Sequence, residues 1–321
     1  MKDLFSPIYY FLPENMVHVS PVIFSQVVPT AGDAVLAVVV LYHRTFESIP
    51  CASRLVEWLS MSNTAPGRLN LTHCLVYDNS PVAQPVQNLQ QDKRMHVFHD
   101  ASNGGTRAAY LYALQLAQAL KCQWILFLDH DTGLPACFLE DAGNALGAVG
   151  PGISVGAVVP RVFDNDVQIS PARITSYGRV WVSRKEAAIT QVSCTVTAIA
   201  SASLVRTEFL AAVLPIPASF SLDYLDHWLF RELQRQAAHI AVSSARVEHS
   251  LSVQSMKSME VQRYLCILAA ELAFLRDEPG YSRALHLLWH AGRTVKLALT
   301  TRRIALVGVC SRAALNIVRA A

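Results

Sequence analysis

The chain has 321 residues, of which 52% are hydrophobic and 16% charged. That balance supplies a sizeable core, excludes a disordered chain, and fits one large domain or two modest ones. A net charge of +3 is too weak to argue for nucleic acid, and none is expected as a partner.

Residues 1–33 read as an N-terminal extension punctuated by Pro21, Pro29 and Gly32. Asp3, Pro7, Pro13 and Glu14 interrupt any apolar run there, which makes it a poor signal peptide. The longest apolar run, Ala34 to Tyr42, is far short of the ~20 residues that cross a bilayer. Seven scattered cysteines without a C-x-x-C pair argue against a zinc site or a disulfide framework. Reduced thiols in a cytosolic protein are the simple reading. Valine-rich "VLAVVVLYH" is then expected to be a buried parallel strand, followed by a helix over 53–60. Further strands are expected over Thr72–Ser80, Met95–Asp100 and Trp124–Asp129, with a helix over Gly104–Leu120. Strands alternating with helices imply an α/β fold, a mostly parallel sheet flanked by helices.

In such sheets ligands bind at the carboxyl ends of the strands. Tyr42-His43-Arg44, Asp78-Asn79, Asp100 and Asp129-His130-Asp131 all fall at expected strand ends, either to converge on one crevice or simply to begin loops. Beyond Pro135 the regularity weakens. Val155–Phe163 and Thr195–Val205 read as strands, Leu222–Gln236 as a helix, His239–Ser250 as a strand running into a loop, and the chain from Met256 onward as helical. Asp129 and Asp131 pose a problem of charge, because two carboxylates two residues apart repel unless a cation sits between them. Mg²⁺ or Mn²⁺ suits such oxygen ligands and brings a diphosphate with it. His130 is expected to point away, since alternate strand residues face opposite sides.

The order "YDNSP", "NGGTRAA", "FLDHDT", "LDYLDHW" and "EHS" over residues 34–252 resembles inverting glycosyltransferases of family 2, most nearly the bacterial rhamnosyltransferase-like enzymes. The resemblance implies a GT-A (Rossmann-like) domain, a nucleotide-sugar donor such as dTDP-rhamnose or a UDP-sugar, and a Mg²⁺ or Mn²⁺ cofactor. It also implies a glycan or lipid-linked acceptor, as in polysaccharide and cell-envelope synthesis. By resemblance Asp78 contacts the donor base, although it also reads as a turn residue. Asn103, Gly104 and Arg107 lie beside the nucleotide, a helix N-terminus being suited to phosphate, and Tyr42 and Arg44 join them at the donor. Asp129 contacts ribose or metal, Asp131 ligates the metal, and His249 completes its ligand set. Asp226 is the expected base that takes the acceptor hydroxyl's proton. Asp223, one helical turn earlier on the same face, is assigned with His227 and Trp228 to the acceptor; either acid also reads as a favoured helix-start residue.

Residues 253–321 form a C-terminal helical region. From Tyr281 onward it carries seven basic residues and no acid, interleaved with leucines, Trp289 and valines. That pattern suits either an anionic membrane surface or a helix packed on the domain with its arginines in water. The expected location is cytoplasmic, peripheral on the inner face of the plasma membrane. Two other readings remain: a haloacid-dehalogenase-like phosphatase, which also places Asp-x-Asp after an apolar strand, and an inactive transferase-like binding protein.

Overall fold

The computed structural model describes residues 32–61, 67–85, 89–182, 196–249, 259–301 and 303–319. All but the last two residues of the expected N-terminal extension lie outside that set. In chain order the described strands are β1 Asp33–Leu41, β2 Leu69–Asp78, β3 Met95–His99, β4 Trp124–Asp129, β5 Val155–Asp164, β6 Val167–Ser170, β7 Ala172–Ile174, β8 Val180–Trp181, β9 Val196–Thr197, β10 Leu204–Arg206 and β11 His239–Glu248. The α-helices are α1 Ala52–Met61, α2 Gly105–Ala119, α3 Phe138–Ala148, α4 Thr207–Ala212, α5 Leu225–Arg235, α6 Val261–Arg276, α7 Arg283–Thr301 and α8 Ile304–Arg319.

The main sheet runs β11-β5-β10-β4-β1-β2-β3, with β6 paired to β5. On this path every pairing is parallel except those of β10, which is antiparallel to both neighbours. The expected α/β sheet flanked by helices is therefore present. Its continuous apolar runs follow from having two buried faces. Leu36, Val38 and Val40 of β1 enter one apolar cluster with α2 and α5, whereas Val35, Ala37, Val39 and Leu41 enter another with α1 and α3. Ala109, Ala113 and Ala117 line one side of α2 and are fully buried, so the helix backbone approaches the sheet closely. Tyr110 between them stacks on Phe127 of β4 at 3.7 Å.

Two expected elements differ from the observed ones. The strand foreseen over 195–205 is two short strands, β9 and β10, joined by a bent segment over 198–203. Ala202 there sits at φ 62°, a left-handed conformation that no strand passes through. The helix foreseen from Leu222 begins only at Leu225, because Tyr224 at φ 59° turns the chain before it. Helix α3 fills a stretch where no helix was foreseen, burying Phe138, Ala142 and Leu146 against the sheet.

The C-terminal helices belong to two cores. Helix α6 sends Ala270, Phe274 and Leu275 into the sheet cluster. Its Tyr264 and Leu268 join Leu297 of α7 and Leu306, Val309 and Cys310 of α8 in a separate cluster.

Candidate active site

Strands β1, β2 and β4 end in register, with Leu41 opposite Asp78 and Val40 opposite Asp129. The chain leaves the sheet there carrying its polar residues. Past β4, Thr132 is fully buried, and its hydroxyl lies within hydrogen-bonding reach of Ser201 Oγ and 3.4 Å from His249 Nδ1. The Gly133 amide bonds Glu248 O. These links draw the end of β11 to the end of β4, across the two strands between them.

The outcome is a cluster in which Asp129, Asp131 and His249 offer ligand atoms all within 4.8 Å of one another. Asp131 Oδ1 is shielded from solvent and accepts no hydrogen bond, although His249 Nδ1 stands 3.3 Å away. A buried carboxylate oxygen with no donor is costly. Burial pushes the Asp129 carboxyl above the usual carboxylate range; His249 opposes the push and Asp131 adds to it. Two carboxylates and an imidazole are a donor set that fits a divalent cation. His130 is not in this group.

Asp226 occupies the first turn of α5. Its Oδ2 accepts the Ala200 N–H at 3.1 Å, while the neighbouring Ser201 hydroxyl accepts the Asp129 N–H at 2.9 Å. Adjacent residues of one small-residue loop thus tether both acids. Burial drives the Asp226 carboxyl up to about 7, against the Ala200 hydrogen bond and helped by the Asp129 charge. A carboxyl with that proton affinity suits a general base near neutral pH. Ser201, Thr132 and Ala200 did not stand out in the sequence; the one available signal is the run of small residues in "AIASAS".

The other expected site residues divide into two groups. Tyr42, Arg44 and Asn103 are exposed at the strand-end side and free to meet a ligand. Asp78 is 2% exposed, and its two oxygens accept the Ser80 and Gln84 amides at 2.9 and 2.8 Å, so it organises the loop, as its turn reading implied. Asp100 does the same before α2, accepting Tyr77 Oη and the Gly104 N–H, both at 2.9 Å. Arg107 donates from Nε to Ile216 O at 2.8 Å and from its backbone N–H to Ser221 O at 3.1 Å, which fastens α2 to the loop before α5. Gly105 at φ +73° lies against the same Ser221 carbonyl, a position that needs glycine.

The three residues assigned to the acceptor have partners within the fold. Asp223 does not share a helix face with Asp226: it precedes the Tyr224 turn and pairs with Arg263 of α6 at 2.8 Å. Trp228 is a core residue, 4% exposed and stacked on Phe220, which leaves little surface for an acceptor. His227 bonds Thr197 Oγ1 at 2.6 Å and packs between Tyr224 and Phe274, and burial lowers its pKa to about 4.

A mostly parallel sheet whose central strand ends in an acid pair has the arrangement of the GT-A fold. Residues 54–210 match the family model described as glycosyl transferase family 2. That match favours a transferase over the phosphatase reading. No curated protein matches the sequence. Among solved structures, residues 1–349 of S. aureus TarS in complex with UDP-GlcNAc superpose with a TM-score of 0.53 at 15% identity, covering 89% of this chain and 81% of that one. The mannosyltransferase PcManGT from Pyrobaculum calidifontis, in complex with GDP-Man and Mn²⁺, gives 0.50 at 13% identity over 92% of this chain and 78% of that one. GalNAc-T7 with UDP, GalNAc and Mn²⁺ gives 0.51 at 10% identity over 75% of this chain, which spans 48% of the GalNAc-T7 chain. At these identities the likeness shows the shared fold.

Proposed function

We propose that the chain is an inverting glycosyltransferase that moves a sugar from a nucleotide-diphosphate donor, dTDP-rhamnose or a UDP-sugar, to a hydroxyl of a glycan or lipid-linked acceptor. The observation that carries this reading is the tether through Ala200 and Ser201. It ties a raised-pKa carboxyl, Asp226, to the same loop that holds Asp129 of the Asp129, Asp131 and His249 cluster. Asp131 and His249 would hold a divalent cation together with Asp129. When bound, such a cation offsets the charge that develops on a leaving diphosphate.

The chain's own residues do the rest. A sugar hydroxyl is a weak nucleophile until its proton is taken, and Asp226 is the base placed to take it. The acceptor oxygen then bonds to the anomeric carbon as the bond to the diphosphate oxygen breaks on the opposite face. No covalent enzyme intermediate forms, so no nucleophilic serine or cysteine is required. Tyr42, Arg44 and Asn103 offer exposed groups to the nucleotide, while Asp78, Gly104 and Arg107 hold the loops that shape its pocket.

The test is nucleoside diphosphate release by the full chain from dTDP-, UDP- and GDP-sugars, with and without acceptor, in Mn²⁺, Mg²⁺ or chelator. We expect acceptor-dependent release that needs the cation, and a product of inverted anomeric configuration. Nucleotide binding without turnover on any donor would favour the inactive binding protein. Retained configuration would overturn the single-displacement mechanism.

A further inference from the structure

Helix α7 buries His286, His290 and Leu297, and Trp289 also turns toward the protein, its ring meeting Tyr177 and Arg179. Leu285, Leu288, Val295 and Leu299 turn the other way and are 50, 72, 59 and 75% exposed. At about 100° per residue these four fall within an arc of roughly 80°. Ala284, Ala291 and Gly292 extend the same face and are also exposed. Neither of the neighbouring C-terminal helices covers this stripe, since α8 packs on the Leu297 side through Leu306, Val309 and Cys310.

The charge around it is one-sided. Residues 281–321 hold seven basic side chains and no acid, while the preceding 280 hold 20 basic and 24 acidic ones. Arg293 is occupied inside by two hydrogen bonds to Glu271 at 2.8 and 2.7 Å. Arg283, Lys296, Arg312 and Arg319 are exposed. Two copies meeting through this face would bring together basic segments with no acid to pair them. A negatively charged, apolar-cored partner meets both features at once. Among the described residues no helix is long and apolar enough to cross a membrane, so the geometry is that of a helix lying on a surface.

We propose that the outward face of α7 docks on an anionic lipid bilayer. Leu285, Leu288, Val295 and Leu299 enter the acyl boundary, and Lys296 beside the stripe meets the phosphate headgroups, with the exposed Arg312 and Arg319 of α8 adding to the local positive charge. The platform is fastened to the candidate site. Helix α6 is bound to α7 through Glu271 and Arg293, and to the loop before Asp226 through the Arg263–Asp223 pair. A membrane-borne acceptor would thereby be presented near Asp226. That purpose rests on the transferase reading, whereas the docking surface does not.

The experiment is co-sedimentation of the full chain, without nucleotide, with vesicles of phosphatidylcholine alone or with about 30% phosphatidylglycerol, at about 0.1 M salt. Binding is expected to the anionic vesicles and to fall about tenfold or more on neutral ones. Leu288→Ser with Leu299→Ser should weaken anionic binding about tenfold, and Lys296→Gln, Arg312→Gln and Arg319→Gln together should remove the preference for phosphatidylglycerol. Both variants should keep the parent melting temperature and its shift with UDP or GDP plus Mn²⁺, because every altered side chain is exposed. Equal vesicle binding by parent and leucine variant would overturn the proposal. So would a parent dimer in sedimentation equilibrium that the leucine variant dissociates, since the face would then join two copies. Failure of every sugar donor with vesicle binding intact would count against the transferase reading alone.

Discussion

Replacing Asp226 with asparagine separates the two consequences of burying that carboxyl. Asparagine keeps an oxygen that can accept the Ala200 N–H but has no basic oxygen for a proton, so transfer should fall about 10²–10⁴-fold. Stability should move the other way. The Asp226 carboxyl is raised from 3.8 to about 7, so the cation-free fold keeps a proton that the unfolded chain releases within that window. Stability is therefore lost as pH rises from 3.8 through about 7, and asparagine escapes the loss. Full enclosure would make the difference about 4 kcal/mol above pH 7, and for a half-buried side chain about 2 kcal/mol is expected. That corresponds to a melting temperature higher by roughly 4–8 °C at pH 8, with no difference near pH 4. Thermal melts in chelator at both pH values, paired with turnover in Mn²⁺, measure both quantities. A variant less stable than the parent at pH 8, or one that keeps turnover within a fewfold, would refute the reasoning.

Two further predictions concern the frame around the site. Glu271 is 1% exposed and holds Arg293 and His286. Burial pushes its carboxyl up, but the His286 hydrogen bond and the Arg293 charge outweigh this and hold it below the ordinary value. Glu271→Gln leaves Arg293 without its counter-charge; because Arg293 keeps some solvent contact, about 2–3 kcal/mol of stability should be lost in urea unfolding. A loss below about 0.5 kcal/mol would show the pair to be incidental. Burial lowers His73 and His227 to about 4, so the fold keeps both neutral while the unfolded chain protonates them near 6.5. Stability should be intact above pH 6.5 and fall toward pH 4, by at most about 1.4 kcal/mol per pH unit for each histidine. His227→Gln should make the acid side of a stability-against-pH curve shallower, and an unchanged slope would count against this assignment.

The sheet was legible because β1 and β4 are apolar on both faces, a pattern that only a strand covered on both sides requires. Asp129 and Asp131 were legible because carboxylates are out of place at the end of such a strand. The residues that join the acids were not. Segment 198–203 alternates small residues as a strand would, but its smallness serves a bend, and Ala202 at φ 62° leaves no mark in the sequence. Tyr224 is similar: a tyrosine at φ 59° breaks the helical spacing assumed for Asp223 and Asp226, and the Glu271 that hydrogen-bonds it lies on α6, 47 positions later. Trp228, assigned to the acceptor, and Trp289, part of the basic C-terminal pattern, are both drawn inward by aromatic neighbours from other elements.

The proposed transfer depends most on the cluster of Asp129, Asp131 and His249 holding a divalent cation. Calorimetric titration of Mn²⁺ into the chelator-treated full chain, with UDP or GDP present, measures this directly. One site is expected for the parent, with affinity about tenfold or more weaker in Asp131→Asn and in His249→Gln. Mn²⁺ binding of equal strength in the parent and both variants would contradict it.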